Sequence, residues 1–345
     1  MGLNKADYRK IRQELDECSR PLYFFGDDAD GLTSFLLLYK YKQEGTGVVV
    51  KAAPNLDERF IKKIEEYQPD KVFILDVPIV DQEFIDACRC PVIWIDHHPP
   101  VKRNKVLCFN PRNRDMNDNS ATSEMCYHVV KDFLWVAAIG IVGDWQLSTT
   151  TEAFSKKYPD LLPSDINKPQ NALFATKLGE MIRMCEAMLK GQTKKVLQNI
   201  KILTRIEDPY ELLNGTTSRS RLLMKRYRFI KKQYDELLSM ARKQADDGGY
   251  LIFVYQDNKM SFSTELSNEL LYLYPDRTVI VAREKNEEMK CSFRTSEKNM
   301  QKALEKALVN IQGYGGGHEK ACGGCIKKDD WERFLEQLKE ELEKQ

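Results

Sequence analysis

The sequence lacks the features that identify membrane, secreted and disordered proteins. It has no apolar run close to the length that spans a bilayer, and no long polar or Pro/Ser-rich tract. The charged segment at residues 1–20 predicts a helix rather than a secretory signal. These absences predict a soluble globular protein with no membrane partner.

The cysteines do not form a pattern typical of disulfides or zinc. There are nine, scattered and odd in number, which favours reduced thiols and a cytoplasmic location. Cys322 and Cys325 form a CxxC pair, but a structural zinc site needs four ligands and no second pair follows at suitable spacing. We therefore predict that these two cysteines are small buried residues.

The chain has almost no net charge, because 53 Lys and Arg face 52 Asp and Glu. The whole molecule is therefore not a basic nucleic-acid binder, and any such surface has to be local. The strongest candidate is the segment 218–244, which predicts an amphipathic helix. It carries no acid between residues 219 and 232, and a basic stripe runs beside its apolar seam: Arg221, Lys225, Arg228 and Lys232. This stripe is either a nucleic-acid groove or an ordinary solvated face.

The length of 345 residues predicts two or more domains. The first third alternates short β-branched or aromatic runs with helix-like segments, which is typical of a doubly wound α/β domain with a parallel sheet. The predicted strands are residues 22–25, 48–53, 71–77, 91–96 and 105–110. Residues 170–245 predict helices. After Gly248 and Gly249, strands at 250–255, 278–284 and 289–296 predict a second, smaller α/β domain, and no internal repeat is visible.

Acids and histidines follow the predicted strands of the first domain. They occur on four separate segments and share one predicted edge of the sheet: Asp28 and Asp30, Asp76, Asp96 with His97 and His98, and Asp144. A single aspartate at a strand end is usually a cap or turn residue. Here, however, two of only four histidines are adjacent in the same place. Several carboxylates with an imidazole favour Mn²⁺ or Mg²⁺, and their number suits two ions that clamp a phosphate and activate a water.

These motifs resemble those of the DHH phosphoesterase superfamily. "DDADGLTS", "LDVP", "IDHHPP" and "GIVGDW" match its four motifs in order, while "SFRTS" and "GYGGGHEKACGGCI" resemble its DHH-associated C-terminal domain. The segments "DADGLTS" and "NPRN…ATSEM" resemble the RecJ branch of single-strand exonucleases more than the oligonucleotide and nucleotide phosphatase branch. The resemblance implies a metal-binding catalytic domain at 1–165, a helical linker at 166–247 and a substrate-binding domain at 248–345.

The resemblance also implies roles for individual residues. The metal ligands are Asp28, Asp30, Asp76, His97 and Asp144. His98 lies near the scissile phosphate and polarises it, and Asp96 orients an imidazole. The C-terminal domain holds the nucleotide through Arg294, Gly316, Gly317 and His318.

The sequence departs from the family in two places. A further His or Asp often precedes the position of Asp28 by two or four residues, where this chain has Gly26 and Phe24. We expect a weaker first metal site or an additional water there. The sequence also contains no counterpart of the OB-type module of bacterial RecJ proteins.

Three functions stay open. The first is a RecJ-like exonuclease that acts on single-stranded DNA or RNA in repair or replication, with duplex excluded by a narrow cleft. The second is an enzyme of the same superfamily for short oligonucleotides, cyclic dinucleotides or 3′-phosphoadenosine 5′-phosphate. The third is a non-catalytic scaffold in a replication complex.

Overall fold

The chain folds into two compact units, Met1–Tyr227 and Arg228–Gln345. The structure is a computed structural model that describes residues 2–51, 55–245, 249–256 and 260–345. The N-terminal unit begins with these elements: α1 (Lys5–Asp16), β1 (Pro21–Gly26), α2 (Ala29–Lys42), β2 (Thr46–Val50), β3 (Asn55–Leu56), α3 (Ile61–Tyr67), β4 (Lys71–Leu75), β5 (Ile79–Val80), α4 (Gln82–Ala87), β6 (Val92–Ile95), β7 (Leu107–Phe109), α5 (Thr122–Val130), α6 (Leu134–Gly143) and α7 (Thr149–Lys157).

A helical region follows, and its last helix contains the boundary between the two units. Its elements are α8 (Pro169–Ala175), α9 (Lys177–Leu189), α10 (Thr193–Leu203), α11 (Pro209–Asn214) and α12 (Ser218–Arg242). The C-terminal unit then contains β8 (Tyr250–Gln256), α13 (Ser263–Leu273), β9 (Thr278–Lys285), β10 (Glu288–Arg294), α14 (Met300–Ala307), β11 (Gly313–His318), β12 (Ala321–Lys327) and α15 (Trp331–Glu343). None of the described helices is both long enough and apolar enough to cross a bilayer.

The N-terminal sheet has five parallel strands in the order β2-β1-β4-β6-β7. Its strands alternate their side chains between two covered faces. Phe24 packs against Phe60 and Phe84 on one face, with ring centroids 5.9 and 5.3 Å away. Phe25 stacks on Phe35 of α2 on the other face, 4.7 Å away. This confirms the predicted doubly wound domain, although residues 52 and 53 of the predicted second strand lie outside the described residues.

The C-terminal sheet is mixed, in the order β11-β12-β10-β9-β8. β8 and β9 are parallel, and the other pairs are antiparallel. One face packs on α14 and α15 through a core that includes Phe293 and Phe334. Ser292, on the opposite face, contacts Ser267 of α13 with 2.9 Å between hydroxyl oxygens. The smaller α/β domain is therefore confirmed.

Sequence patterns left three elements of this unit unassigned: helix α13 and the strands β11 and β12, which contain the glycine-rich motif. The motif "GYGGGH" forms β11, an edge strand that pairs with β12. Cys322 and Cys325 are buried as predicted, and all nine cysteines are free.

Two glycines let helix α2 begin directly against the end of strand β1. A Cβ added at Gly31 would lie 2.6 Å from the backbone nitrogen and carbonyl oxygen of Gly26. A side chain cannot fit there unless the backbone moves. The close contact places Asp28, the N-cap of α2, and Asp30, in its first turn, at the carboxyl edge of the sheet.

We predict that Gly31→Ala lowers the free energy of unfolding by about 2 kcal/mol or more, because the new methyl group meets backbone atoms. Urea denaturation followed by tryptophan fluorescence measures this in the N-terminal unit, which contains Trp94, Trp135 and Trp145. Gly316→Ala is the control, since a Cβ there has no neighbour within 4 Å. We expect it to change stability by less than about 0.5 kcal/mol. An unchanged urea midpoint for Gly31→Ala would show that the backbone accommodates the methyl group.

Candidate metal centre and substrate-binding face

Four segments of the N-terminal unit bring acids and histidines to one edge of the sheet. Asp28 is the N-cap of α2, and Asp30 lies in its first turn. Asp76 follows β4, the triplet Asp96, His97 and His98 follows β6, and Asp144 ends α6. Their positions follow from the topology, because the carboxyl ends of parallel strands meet at the same edge.

His97 lies at the centre of this cluster. Its Nε2 is 3.4 Å from Oδ1 of Asp76, and its Nδ1 is 3.6 Å from Oδ2 of Asp144. Two groups of side chains could each hold an ion, since their ligand atoms all lie within 4.8 Å of one another. The groups are Asp76 with His97 and His98, and Asp30 with His97 and Asp144. His98, predicted to contact phosphate, is thus also within reach of a metal ion.

Asp30 is fully enclosed and bound to the start of helix α5. Its two carboxylate oxygens accept hydrogen bonds from the backbone N–H groups of Thr122 (2.8 Å) and Ser123 (2.9 Å). These are unpaired donors of a helix N-terminus, where a negative charge is favourable. The carboxylate is fixed in orientation, and each oxygen retains a lone pair for a metal ion.

Asp28 belongs to neither of the two groups that could hold an ion. Its Oδ1 accepts a hydrogen bond from the backbone N–H of Gly31 at 2.9 Å, as an N-cap does. The carboxyl is also hydrogen-bonded to Asp76. The structure therefore places Asp28 beside the cluster, while its role as a ligand stays a prediction.

Asp96 holds His98 and not His97. One carboxylate oxygen contacts Nδ1 of His98 at 2.8 Å, and the other accepts the backbone N–H of His98 at 3.0 Å. Asn110 donates to the carbonyl of His98 at 2.9 Å. These contacts fix the imidazole of His98, which is about one-third exposed, at 36% of its side chain.

Several groups around the cluster were not found by sequence reasoning. The carbonyl oxygen of Asn119 lies 3.4 Å from Nδ1 of His97. Gln146 donates to Asp144 at 2.6 Å and also to the carbonyl of Asn119. The segment "NPRN…ATSEM" was part of the resemblance to RecJ. The contacts of backbone carbonyl groups, however, do not depend on residue type, so the sequence could not identify them.

The pKa values show that charge is crowded here. Burial and the charges of Asp76 and Asp144 raise the pKa of Asp30 to about 8. Burial also raises the pKa of Asp144 to about 6, against the opposing charge of His97. The pKa of Asp28 is raised as well, by burial of its carboxyl group and by the charges of Asp76 and Asp30.

His97 carries the positive charge that partly offsets these acids. Burial acts to lower its pKa, but the hydrogen bond to Asp76 and the charge of Asp144 raise the pKa of His97 to about 11. Burial acts to raise the pKa of Asp76, yet the hydrogen bond and charge of His97 hold that pKa below its usual value. The proton on His97 therefore occupies the place where a cation would be most favourable.

The donor set fits a divalent ion. Buried carboxylates that repel one another, together with imidazoles whose orientation is fixed by other groups, are typical ligands of Mn²⁺ or Mg²⁺. Asp76 has a left-handed backbone, with φ of 55°. Such a conformation is uncommon for residues other than glycine, although aspartate, asparagine and histidine adopt it more often than most, and it concentrates at functional sites.

Packing explains why position 26 holds a glycine, where the family often has a His or Asp. A Cβ at this position would lie 2.6 Å from the carbonyl oxygen of Asp76 and 3.2 Å from its Oδ2. A larger residue would displace Asp76 from the cluster. A ligand at position 26 is therefore incompatible with the present position of Asp76.

The C-terminal unit brings its predicted residues onto one face. In register, Arg294 lies opposite Ala321, and Ala321 lies opposite His318. Residues that are paired across strands point to the same face, so Arg294 and His318 share it about 10 Å apart. Gly316 has open space around it, whereas Gly317 has φ of 147° and needs to be glycine.

The edge strand β11 offers backbone donors. The bond from the N–H of Lys327 to the carbonyl of Gln312 sets the ladder, so that Gly313, Gly315 and Gly317 direct their N–H groups to the open edge. No strand pairs with that edge among the residues that the structure describes. Such an edge can donate to phosphate oxygens.

Arg294 has only part of its fork available. Its Nε donates to Asn268 at 2.6 Å, and Nη1 donates to the carbonyls of Phe293 and Cys322 at 2.8 and 3.1 Å. Burial lowers the pKa of Arg294 to about 10. The two hydrogens on Nη2 are the ones left for a phosphate.

The predicted basic stripe is exposed on α12. Its four residues, Arg221, Lys225, Arg228 and Lys232, are exposed, and none lies within 4 Å of a described carboxylate. Two other basic residues of the segment do find acids: Arg219 pairs with Glu211 at 2.7 Å and Lys231 with Asp235 at 2.6 Å. The apolar seam is buried at Leu223, Tyr227 and Ile230, as predicted.

Comparison with known families identifies both units. Residues 23–162 match the DHH family, N-terminal domain, and residues 233–344 match the DHHA1 domain. No curated protein sequence matches the chain.

Solved structures show the same fold at low sequence identity. RecJ from Thermus thermophilus in complex with Mn²⁺ has a TM-score of 0.71 at 14% identity, over 98% of this chain and 54% of that chain. This chain thus spans about half the length of that RecJ. The pGpG-specific phosphodiesterase PggH from Vibrio cholerae has a TM-score of 0.53 at 12% identity, over 93% of this chain and 97% of that chain. CDC45 from Entamoeba histolytica has a TM-score of 0.51 at 12% identity, over 99% of this chain and 100% of that chain.

We predict that Mn²⁺ binding to the metal-free protein releases protons and becomes tighter as pH rises from 5.5 to 8. At pH 7 the raised pKa values leave His97 and much of Asp30 protonated, so roughly one to two protons must leave. Titration calorimetry in buffers of different ionisation enthalpy counts them.

The melting temperature gives a second measurement. In the metal-free protein, ionisation of Asp30 costs stability between its unfolded pKa near 4 and its folded value near 8. The stabilisation by the raised pKa of His97 is complete below the unfolded value of 6.5 and declines as pH rises towards 11, so it too is smaller at pH 8 than at pH 5.5. Mn²⁺ should therefore raise the melting temperature more at pH 8 than at pH 5.5. Asp76→Asn, which tolerates the left-handed backbone, should remove the effect. An equal rise at both pH values would contradict this account.

Proposed function

Because the chain belongs to the DHH superfamily, we propose that it is a phosphoesterase that depends on Mn²⁺ or Mg²⁺ and trims single-stranded DNA or RNA from one end, as RecJ-like exonucleases do. The observation that carries this proposal is the cluster around His97. Its side chains come from four segments that are far apart in sequence. They form two groups that could each hold an ion, and within each group the ligand atoms lie within 4.8 Å of one another.

The residues of the cluster take distinct roles in this proposal. Asp30, Asp76, His97 and Asp144 hold the ions, and Asp28 completes the set from the start of α2. When bound, two divalent ions supply charge neutralisation for the phosphate and activation of a water. His98 is fixed by Asp96 and directs its remaining ring nitrogen to a phosphate oxygen.

The C-terminal unit holds the end of the substrate. Arg294 donates through Nη2, and the strand β11 donates through backbone N–H groups at its open edge. His318 lies on the same face as Arg294. This arrangement favours a terminal nucleotide with its phosphate, and it supports the proposed division into 1–165, 166–247 and 248–345 as catalytic, connecting and substrate-binding parts.

A second function is the hydrolysis of short substrates. The likeness to the pGpG-specific phosphodiesterase favours it, since that protein shares the fold over nearly its full length. In this case the enzyme would act on oligonucleotides of a few residues or on small nucleotides, and the basic stripe on α12 would be a solvated face. Activity against strand length separates the two functions.

A non-catalytic role in a replication complex is the third function, and the fold of CDC45 is the observation in its favour. The intact cluster argues against it. A buried acid with a raised pKa is costly to keep unless it binds a cation, so a scaffold has no reason to retain Asp144 beside His97.

We predict Mn²⁺-dependent hydrolysis of end-labelled single strands of DNA or RNA from two to thirty nucleotides. An exonuclease shortens long strands stepwise, whereas an enzyme for short substrates cuts only the shortest ones. His97→Ala should lower kcat/KM by at least about a hundredfold, because it removes a residue that both candidate ion positions share.

The matched control for this assay is His128→Ala, a histidine of α5 that contacts Tyr8 and Tyr127. It should retain activity within about threefold. If the wild-type protein binds metal but cleaves no strand or nucleotide, the enzymatic proposal is wrong and the scaffold role gains support.

We also predict that the charge reversal of Arg221, Lys225 and Arg228 to Glu weakens binding of a thirty-nucleotide strand at least tenfold. The plot of log affinity against log salt should become shallower by about 2, because each phosphate contact on a single strand contributes about 0.7. Fluorescence anisotropy measures both.

The control for charge alone is Lys5, Lys62 and Lys156 changed to Glu, three exposed lysines on α1, α3 and α7. This variant carries the same net charge but should keep the wild-type salt slope. Equal losses in both variants would mean that overall charge, and not the stripe, governs binding.

A further inference from the structure

An arginine with no acidic partner among the described residues lies next to the cluster. Arg112 is in a short 3₁₀ turn, Pro111–Asn113, and its Nη2 donates to the side-chain oxygen of Asn119 at 2.5 Å. The backbone carbonyl of Asn119 faces Nδ1 of His97 at 3.4 Å. A single residue therefore connects the guanidinium to the centre of the candidate metal site.

The guanidinium of Arg112 is poorly satisfied. Its Nε is buried and has no hydrogen-bond partner, and no carboxylate lies within 4 Å in the described parts of the chain. Of its five N–H donors, only one is used within the part of the protein that the structure describes. Arg114, two residues later, differs because it pairs with Asp7. A buried donor without a partner is rare and calls for a ligand or a water.

The missing partner has a definite chemistry. Arginine binds phosphate through two parallel N–H···O bonds, and it cannot lose its charge to escape burial. In a guanidinium, the parallel pairs are Nη2 with Nε and Nη2 with Nη1. Because Asn119 takes only one of the two Nη2 hydrogens, one such pair is left for this contact. A metal ion alone would be repelled by this group, whereas an anion held at the metal centre would be bound by it.

We propose that Arg112 binds a phosphate group of the substrate at the metal centre. The assignment of that phosphate to a nucleic-acid strand rests on the proposed function. The binding of phosphate itself rests on the geometry of Arg112 alone. The segment from residue 110 to residue 119 contacts both histidines of the cluster, since Asn110 donates to the carbonyl of His98 and the carbonyl of Asn119 faces His97.

A purely structural role is the alternative, in which Arg112 only holds the side chain of Asn119. Asn119→Ala separates the two roles, since it removes the side-chain oxygen that Arg112 contacts but keeps the backbone carbonyl that faces His97. Under the phosphate-binding role, Asn119→Ala keeps its phosphate affinity within about threefold. Under the structural role, it loses as much affinity as Arg112→Ala.

The experiment is titration calorimetry of inorganic phosphate into the full chain saturated with Mg²⁺. Arg112→Ala should weaken phosphate binding at least tenfold with an unchanged number of bound ions, and Arg112→Lys should recover part of the loss. Arg114→Ala should stay within twofold of the wild type. In turnover, Arg112→Ala should raise KM for a single strand at least tenfold and lower kcat less.

Three results would overturn the proposal: wild-type affinity in Arg112→Ala, an equal loss in Asn119→Ala, or no phosphate binding by the metal-loaded wild type. Failure of the proposed function gives a different result. A wild-type protein that hydrolyses no strand or nucleotide would contradict the nuclease, while the phosphate affinities of the variants would still decide the role of Arg112.

Discussion

The repulsion among carboxylates at the end of the N-terminal sheet is the constraint on which the site depends. The close glycine contact at the start of α2 brings Asp30 in, and the left-handed backbone turns Asp76 towards it. The α5 amides and the proton on His97 then offset part of the negative charge. The rest of the negative charge is not neutralised within the cluster, and a bound cation would neutralise it. This need for a cation links the fold to its chemistry.

Sequence patterns predicted most of the N-terminal unit because its strands are short, nearly continuous apolar runs of β-branched and aromatic residues that alternate with helix-like segments. They also predicted which side chains would meet, since strand ends in a parallel sheet share an edge. The Asn119 carbonyl and the Thr122 and Ser123 amides were missed for a simple reason. Every residue has these groups, so the sequence does not show which ones face the cluster.

The C-terminal unit was harder to predict for a different physical reason. Glycine has no side chain, so a glycine strand such as β11 lacks the alternation that identifies other strands. Arg294 was predicted to hold the nucleotide, and the structure places it on the same face as His318, but the carbonyls of Phe293 and Cys322 already occupy part of its fork. Which N–H groups of an arginine are free depends on the groups that pack against it, and the sequence does not show those groups. Gly26 is a second example. The family often has a His or Asp at this position, and only the structure shows that Asp76 leaves no room for a side chain there.

The two bonds from Asp30 to the start of α5 affect how such a protein can change during evolution. Asp30 serves the helix as well as the cluster, so its loss would harm folding and chemistry together. Asp144 accepts a single hydrogen bond from Gln146 and is only partly enclosed, so it can be replaced at little structural cost. A lineage that drifts away from catalysis should therefore lose the residue at Asp144 early and keep Asp30 last. An aspartate retained at position 30 would then reflect its hydrogen bonds to the start of α5 and would no longer indicate activity.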